Sequence, residues 1–388
     1  VDRTAEKRLL AGYREVFIHV RERELGGWEQ WRAERAPSDV ERVELAARKR
    51  ATMRSFAIVA TVTTLASFAV TARHISALLS GAMITAPGAG ATDTTWDVLW
   101  QRVLTGWSEV WLGSPALDGS FASLFLPAAA VWGDSRLAVG LLLSFAPLAA
   151  GVGAWWALGA ATRVPWLRTL GAVVYALWPL FLAAALDARV GAVVAHVALP
   201  WVAWGLARGA GWARSEAIAD VRERGGARRP SASAGLFGAI ALVVVTSAAP
   251  ALLVPAVVGI VIVGAFAGRT RWRVWTIPIL SVVIAAPALA AAARQGADGL
   301  SVLWREPGPS PAFAPLEAWQ ILAGAEGGER WAPVLQPYGA VSYVPGLVLI
   351  ALAVVGVVVA RAHRAVVLAW TVAALGVVGA AVGQATVV

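Results

Sequence analysis

The chain has 388 residues, 58% of them hydrophobic and only 15% charged, with a mean hydropathy of +0.66; a soluble domain carries roughly a quarter charged residues, so that class is excluded and a membrane protein is indicated. The formal net charge is +9, but the basic residues sit beside apolar runs, which points to membrane orientation and not to nucleic acid. With no cysteine and only four scattered histidines, His19, His74, His196 and His363, neither a disulfide framework nor a metal centre is expected, and no cofactor is called for.

Residues 1–54 read as a cytoplasmic juxtamembrane segment. Leu9, Leu10, Tyr13, Val16, Phe17 and Val20 fall at helical spacing opposite arginines, an amphipathic stripe that lies on anionic lipid, docks to another domain or forms a solvated linker helix. Ser38 with Glu41 predicts a capping box opening the next helix. Val1 at the start, and AVGQATVV at the end, at the edge of a span, read as the limits of a piece of a longer chain.

Residues 55–388 read as an all-α, polytopic transmembrane bundle of about nine spans. Apolar runs of about the 20 residues a bilayer demands occupy 55–72, 137–158, 170–186, 190–207, 274–293, 343–360 and 365–386. The run 234–267 is too long for one crossing, and Pro250 and Pro255 break it into a hairpin of two helices. The stretch 121–133 is too short to span and reads as a re-entrant or interfacial helix.

Orientation follows from the charges. With the N-terminus in the cytoplasm, the inner segments hold 26 of the 33 Lys and Arg residues and a net +13, while the outer loops carry −4. The positive-inside rule is then obeyed at every cytoplasmic turn, placing the protein in the plasma membrane with outer loops at 73–136 and 294–342.

No phosphate loop, dinucleotide fingerprint, nucleophile elbow, zinc motif or Asp-x-Asp occurs. Apart from His196 the expected spans hold no ionisable acid, base or histidine, which argues against an ion-coupled pump. His196 is read as a helix-to-helix hydrogen-bonding residue. The acids gather outside instead: Asp93, Asp97, Glu109 and Asp118 in the first long loop, and Asp298, Glu306, Glu317, Glu326 and Glu329 in the second. Trp96, Trp100, Trp107 and Trp111 recur at intervals of 4, 7 and 4, predicting one interfacial helix with its indoles at headgroup depth. An aromatic belt with no further role fits the same spacing.

The succession WDVLWQRVLTGWSEVWLGSPA, LAVGLLLSFAPLAAGVGAWWAL and LRTLGAVVYALWPLFLAAALDARVGAVVAHVALPWVAWGLARG resembles the polytopic membrane region that follows a family 2 glycosyltransferase domain in large actinobacterial proteins. More distantly it is similar to the GT-C class of lipid-sugar-dependent transferases, such as arabinofuranosyltransferases. The resemblance implies a carboxylate of the first outer loop as general base and a polyprenyl-phosphate sugar donor held at the membrane surface, in cell-envelope glycan assembly. Asp93 and Asp97 would then be catalytic, although the adjacent acidic pair common in that class is missing; helix capping or a solvated loop is the other reading of both. Arg102 and Arg189 are the candidates for the donor phosphate, with Trp107 and Trp111 lining the substrate site. Two alternatives stay open: a non-catalytic anchor for a cytoplasmic family 2 transferase domain, and a flippase for lipid-linked sugar.

Overall fold

The computed structural model describes residues 39–82, 84, 95–105, 107–108, 114–115, 119–213, 230–265 and 267–296. Outside them lie the N-terminal stripe, Asp93, Trp111, the second outer loop from residue 297 on and the expected spans 343–360 and 365–386. The chain divides into two compact units, Val1–Met53 with Glu216–Gly226, and Arg54–Ser215 with Ala227–Val388. Of the first, residues 39–53 are described, as the start of a helix. All else below belongs to the second.

Helix α1 (Asp39–Val70) begins where the capping box predicts and runs 32 residues without a break. Its faces are sorted in reverse of a helix in water. Thr63 and Ser67, with Thr71 just past its end, are fully buried, while Ile58, Leu65 and Phe68 are 52%, 63% and 52% exposed. The buried hydroxyls need no water, because Thr63 Oγ1 donates to Val59 O (2.7 Å), Ser67 Oγ to Thr63 O (2.9 Å) and Thr71 Oγ1 to Ser67 O (2.6 Å). An apolar outer face over a self-satisfied polar inner one is the arrangement that lipid favours.

After α2 (Ala72–Ser80) comes a small cap of α3 (Trp96–Thr105), β1 (Trp107–Ser108), β2 (Ser114–Pro115), α4 (Gly119–Ser123) and α5 (Leu126–Trp132). Leu99, Ala122 and Ala129 form its core, with Trp96, Val103 and Phe125 around them. The stretch 121–133 is thus two helices, of five and seven residues, too short to span as expected. The single tryptophan helix is corrected. α3 ends at Thr105, and Trp107 pairs across a two-residue antiparallel ladder with Pro115. Gly106 and Gly113 weaken any helical continuation here, a cost the tryptophan spacing does not register.

Two expected spans are also interrupted. The run 137–158 is α6 (Arg136–Ser144) and α7 (Ala146–Ala161), bent by 65° at Phe145. Pro147 has no N–H for the carbonyl four residues back, and Thr71 Oγ1 shares its one proton between Ser67 O and Ser144 O, the latter 2.7 Å away across the bend. The run 170–186 is α8 (Pro165–Ala176) and α9 (Pro179–Leu186), of 12 and 8 residues. The cause is Pro179, which drives Trp178 out of the helical region to φ −60°, ψ 126°.

α10 (Val190–Ala210) is unbroken, and its 21 residues cover the roughly 30 Å of a hydrocarbon core. It carries Pro200. Two carbonyls are therefore left without amide partners, Tyr175 O by Pro179 and His196 O by Pro200. Each is taken by the other residue's side chain: Tyr175 Oη donates to His196 O (2.7 Å) and His196 Nε2 donates to Tyr175 O (3.1 Å). The imidazole lies stacked between the Tyr175 and Phe181 rings, 4.1 Å from each centroid. His196 is the helix-joining residue the sequence indicates.

α11 (Ala232–Ala248) packs antiparallel on α10 through glycines: a Cβ on Gly238 would lie 2.9 Å from Gly205 Cα, so the backbones touch. A 3₁₀ turn at Pro250–Leu252 then leads into α12 (Leu253–Ala265), the break expected within 234–267. A second 3₁₀ turn (Gly268–Thr270), α13 (Arg271–Trp275) and α14 (Ile277–Arg294) complete the described chain. Leu242, Val245, Ile260 and Ile277 form the core between α10, α11, α12 and α14.

Among the described residues, three stretches are long and apolar enough to cross a membrane, Ala46–Val70, Val190–Ala210 and Gly268–Arg294, or four if the bent pair α6–α7 is one span. The fold is a helical bundle with an apolar exterior.

The reciprocal carbonyl bonds predict a coupling. Tyr175→Phe is expected to destabilise the bundle by about 1 kcal/mol, and Pro200→Ala, which restores an amide donor to the His196 carbonyl, to shrink that loss toward zero. Unfolding of the four proteins of this double-mutant cycle checks it; equal losses in both backgrounds refute it.

Candidate functional site

Hydrogen bonds sort the helix ends into two sets. At one end Ser55 Oγ donates to Pro165 O (3.0 Å), Thr270 Oγ1 to Ala210 O (3.0 Å) and Arg273 Nη1 to Pro230 O (3.2 Å). At the other, Thr71 reaches Ser144 O, His74 Nε2 donates to Ala185 O (2.9 Å) and Arg136 Nη1 to Gly81 O (2.9 Å). α7 and α10 join the sets by running side by side in one direction: Ala146 and Val193 share a core cluster, and Gly153 meets Trp201 farther along.

The charges divide with the ends. Within 54–296, the first end carries Arg54, Arg163, Arg168, Arg208, Arg269, Arg271 and Arg273, and no acid among the described residues. All three described acids of that range, Asp97, Asp134 and Asp187, are at the second end, beside Arg73, Arg102, Arg136, Arg189 and Arg294. Among the described residues of 54–296, a carboxylate-dependent activity has groups to work with only at the second end.

The residues singled out from the sequence fall on different elements there. Asp97 is exposed on the first turn of α3, and Arg102 is half-buried in its last turn; five residues apart, they lie roughly 140° round the helix from each other. Trp96 and Trp100 stack on the same helix, with centroids 5.3 Å apart and planes 12° from parallel. Trp107 is in β1, off the helix. Arg189 is half-buried at the start of α10, after a tight turn in which Ala188 takes a left-handed φ of 53° and the Arg189 N–H donates to Ala184 O (2.9 Å).

What the structure does bring together is a cleft that sequence reasoning missed. It encloses about 230 Å³ between the end of α2 and the start of α6, with Leu78, Ile84, Leu137 and Gly140 as apolar floor and Trp132, Asp134 and Arg136 as polar or aromatic rim. Asp134 Oδ1 accepts the Arg136 N–H (2.9 Å), and the Arg136 guanidinium is fixed on Gly81 O. The first outer loop is stitched to this rim. Thr95 forms a β-bridge with Asp134, and the Trp96 N–H donates to Gly133 O (3.3 Å), so Thr95 and Trp96, just before Asp97, pass beside Asp134. The signal was WGDSR, an aromatic, a turn and an opposed charge pair just before an apolar helix.

Chemically the rim offers a carboxylate to take a proton from a hydroxyl, and a planar cation to hold a phosphate oxygen. The volume is below the roughly 300 Å³ of ordinary small-molecule pockets, and Leu79, Val131 and Trp132 are exposed on the elements that form it. Among the described residues no three His, Asp or Glu side chains gather as a metal site would require.

His74 locks α2 onto the end of α9. Burial pushes its pKa below the ordinary 6.5, opposed in part by the Ala185 carbonyl and reinforced by Arg73. The folded state therefore resists protonation. Its contribution is intact above about pH 6.5 and declines as the pH falls below the unfolded value. Melting temperature measured between pH 8 and 5 should fall more steeply for the native chain than for His74→Gln; parallel profiles would contradict this.

Compared with known proteins, the chain matches no family model, no curated protein and no solved structure.

Proposed function

We propose that this chain is a GT-C-like glycosyltransferase, or the membrane half of a two-part transferase, drawing sugar from a polyprenyl-phosphate donor in cell-envelope glycan assembly. The observation that carries the reading is the collection of every described acid of 54–296 at one end of the bundle, beside a cleft with a fixed arginine. In this reading that end faces outward across nine spans and the all-arginine end faces the cytoplasm, as the positive-inside rule requires. Asp97 or Asp93 takes the acceptor proton, with Asp134 the third candidate. Arg136 joins Arg102 and Arg189 as a phosphate ligand, and Trp132 is added to Trp107 and Trp111 as a candidate wall for the amphiphile.

A non-catalytic anchor for a cytoplasmic transferase domain is the second reading, favoured by the placement of Asp97, Arg102 and Arg189 on separate faces and elements.

Transfer from a labelled polyprenyl-phosphate sugar by the full chain in liposomes separates the two. Loss of a general base lowers the rate by about 100-fold or more, so one of Asp93→Asn, Asp97→Asn and Asp134→Asn should fall that far while Arg136→Gln raises the donor KM. Undiminished transfer in all three carboxylate variants removes them from the mechanism. The orientation has its own check, since the chain lacks cysteine: a single cysteine at 134 should label from outside intact cells, and one at 271 only after permeabilisation. The reverse pattern inverts the topology.

A further inference from the structure

The corner Gly268–Trp275, at the acid-free end, carries a feature that transfer chemistry does not use. The sequence RTRWRVW puts Arg269, Arg271 and Arg273 in alternation with Thr270, Trp272 and Val274, and Trp275 follows. This corner opens the stretch Gly268–Arg294, long and apolar enough to span, so it sits where hydrocarbon gives way to headgroups.

The corner is held in one shape. Val274 is fully buried, Thr270 Oγ1 bonds Ala210 O, and the Trp275 indole N–H donates to Val261 O (3.0 Å). Gly211, at φ +77°, lies so close to Pro230 that a Cβ would come within 2.7 Å of its ring, and Arg273 donates to the Pro230 carbonyl. Arg273 is thus turned inward, its guanidinium carbon 5.1 Å from the Trp272 ring centroid. Arg269 and Arg271 remain exposed, the latter with its guanidinium carbon 5.7 Å from the Trp275 ring centroid, and Trp272 is 57% exposed beside them in the chain.

From these observations we propose that the Gly268–Trp275 corner is a binding site for the phosphate headgroup of an anionic phospholipid. Two exposed guanidinium forks give bidentate donors to a phosphodiester, and no described acid of 54–296 lies at this end to compete. An indole at the headgroup boundary buries its ring against the upper acyl chain while its N–H stays at polar depth. A free anion explains the arginines but not the exposed Trp272; a lipid explains both. The proposal rests on the bundle crossing a membrane and is independent of the transferase reading.

The test uses the full chain in detergent, titrated with phosphatidylglycerol or with phosphatidylcholine of the same acyl chains, reading thermal stabilisation and the lipid retained in native mass spectrometry. The native chain should prefer phosphatidylglycerol, and Arg269→Gln with Arg271→Gln should weaken that preference roughly tenfold or more, whereas Arg294→Gln at the opposite end should leave it unchanged. Arg269→Lys with Arg271→Lys keeps the charge and loses the fork, so an intermediate, several-fold loss is expected; this milder pair stands if the double Gln variant does not fold. A preference unaltered in both double variants overturns the proposal. So does inorganic phosphate that stabilises the native chain as well as the lipid does, because the site is then one for a free anion.

Discussion

The bundle depends on the satisfaction of backbone carbonyls that no water can reach. Proline at 179, opening α9, and at 200, inside α10, each leaves the carbonyl four residues back without its amide partner, and an unpaired carbonyl is costly where no water can replace the donor. Tyr175 and His196 answer both losses at once, each side chain bonding the carbonyl of the other residue. Because each bond needs the other helix at the right depth, the pair fixes α8 against α10 in register as well as in distance. It also accounts for a histidine within an apolar helix without invoking a proton path.

The same constraint explains the rest of the interior. Polar groups are admitted where a local carbonyl can receive them, as in the hydroxyl ladder of α1 and in Thr246, which donates to Leu242 O (2.9 Å). Elsewhere, close approach replaces hydrophobic drive, since lipid is as apolar as leucine and gives helices no reason to associate. Gly151 against Thr63, and Gly205 against Gly238, let backbones and short side chains meet, collecting dispersion contacts that larger residues would prevent. Arg168 is the exception. Buried at the basic end, its guanidinium carbon lies 3.8 Å from the Trp155 ring centroid and it donates to the Trp155 carbonyl (3.4 Å), an environment in which both aromatic face and backbone carry the cation.

Helix existence was legible in the sequence because apolar length is a strong signal, and the turn at Pro250 because proline stood in the middle of a run too long to cross once. The breaks at 145 and 177 were as visible in principle. YALWP and HVALP place Tyr175 and His196 each four residues before a proline, the spacing at which a carbonyl loses its donor. A hydropathy window averages over that spacing and sees only apolar residues. Trp107 was misplaced for a related reason: equal spacing of indoles measures where side chains would fall if the helix continued, and says nothing about whether TGW lets it continue. The rim of the Asp134–Arg136 cleft was marked by WGDSR, but the cleft itself was not legible, because part of its floor comes from Leu78 and Ile84, 48 to 58 residues before that rim in the chain.

These pieces bear on function through rigidity. A carboxylate and a guanidinium act together only when their separation is held, and α2, which bears Gly81 under the Arg136 guanidinium, is itself tied to α9 by His74 and to the bend of α6–α7 through Thr71. α9 in turn begins just past the Pro179 break that the Tyr175–His196 pair secures. The acid-bearing end is therefore connected to the centre of the bundle by a continuous series of carbonyl bonds. Loosening the central pair should be felt at the cleft, whereas the Gly268–Trp275 corner, anchored separately through Ala210 and Pro230, should not feel it. The proposed transfer site and the proposed lipid contact thus lie at opposite ends on different supports, and damage to one leaves the other measurable.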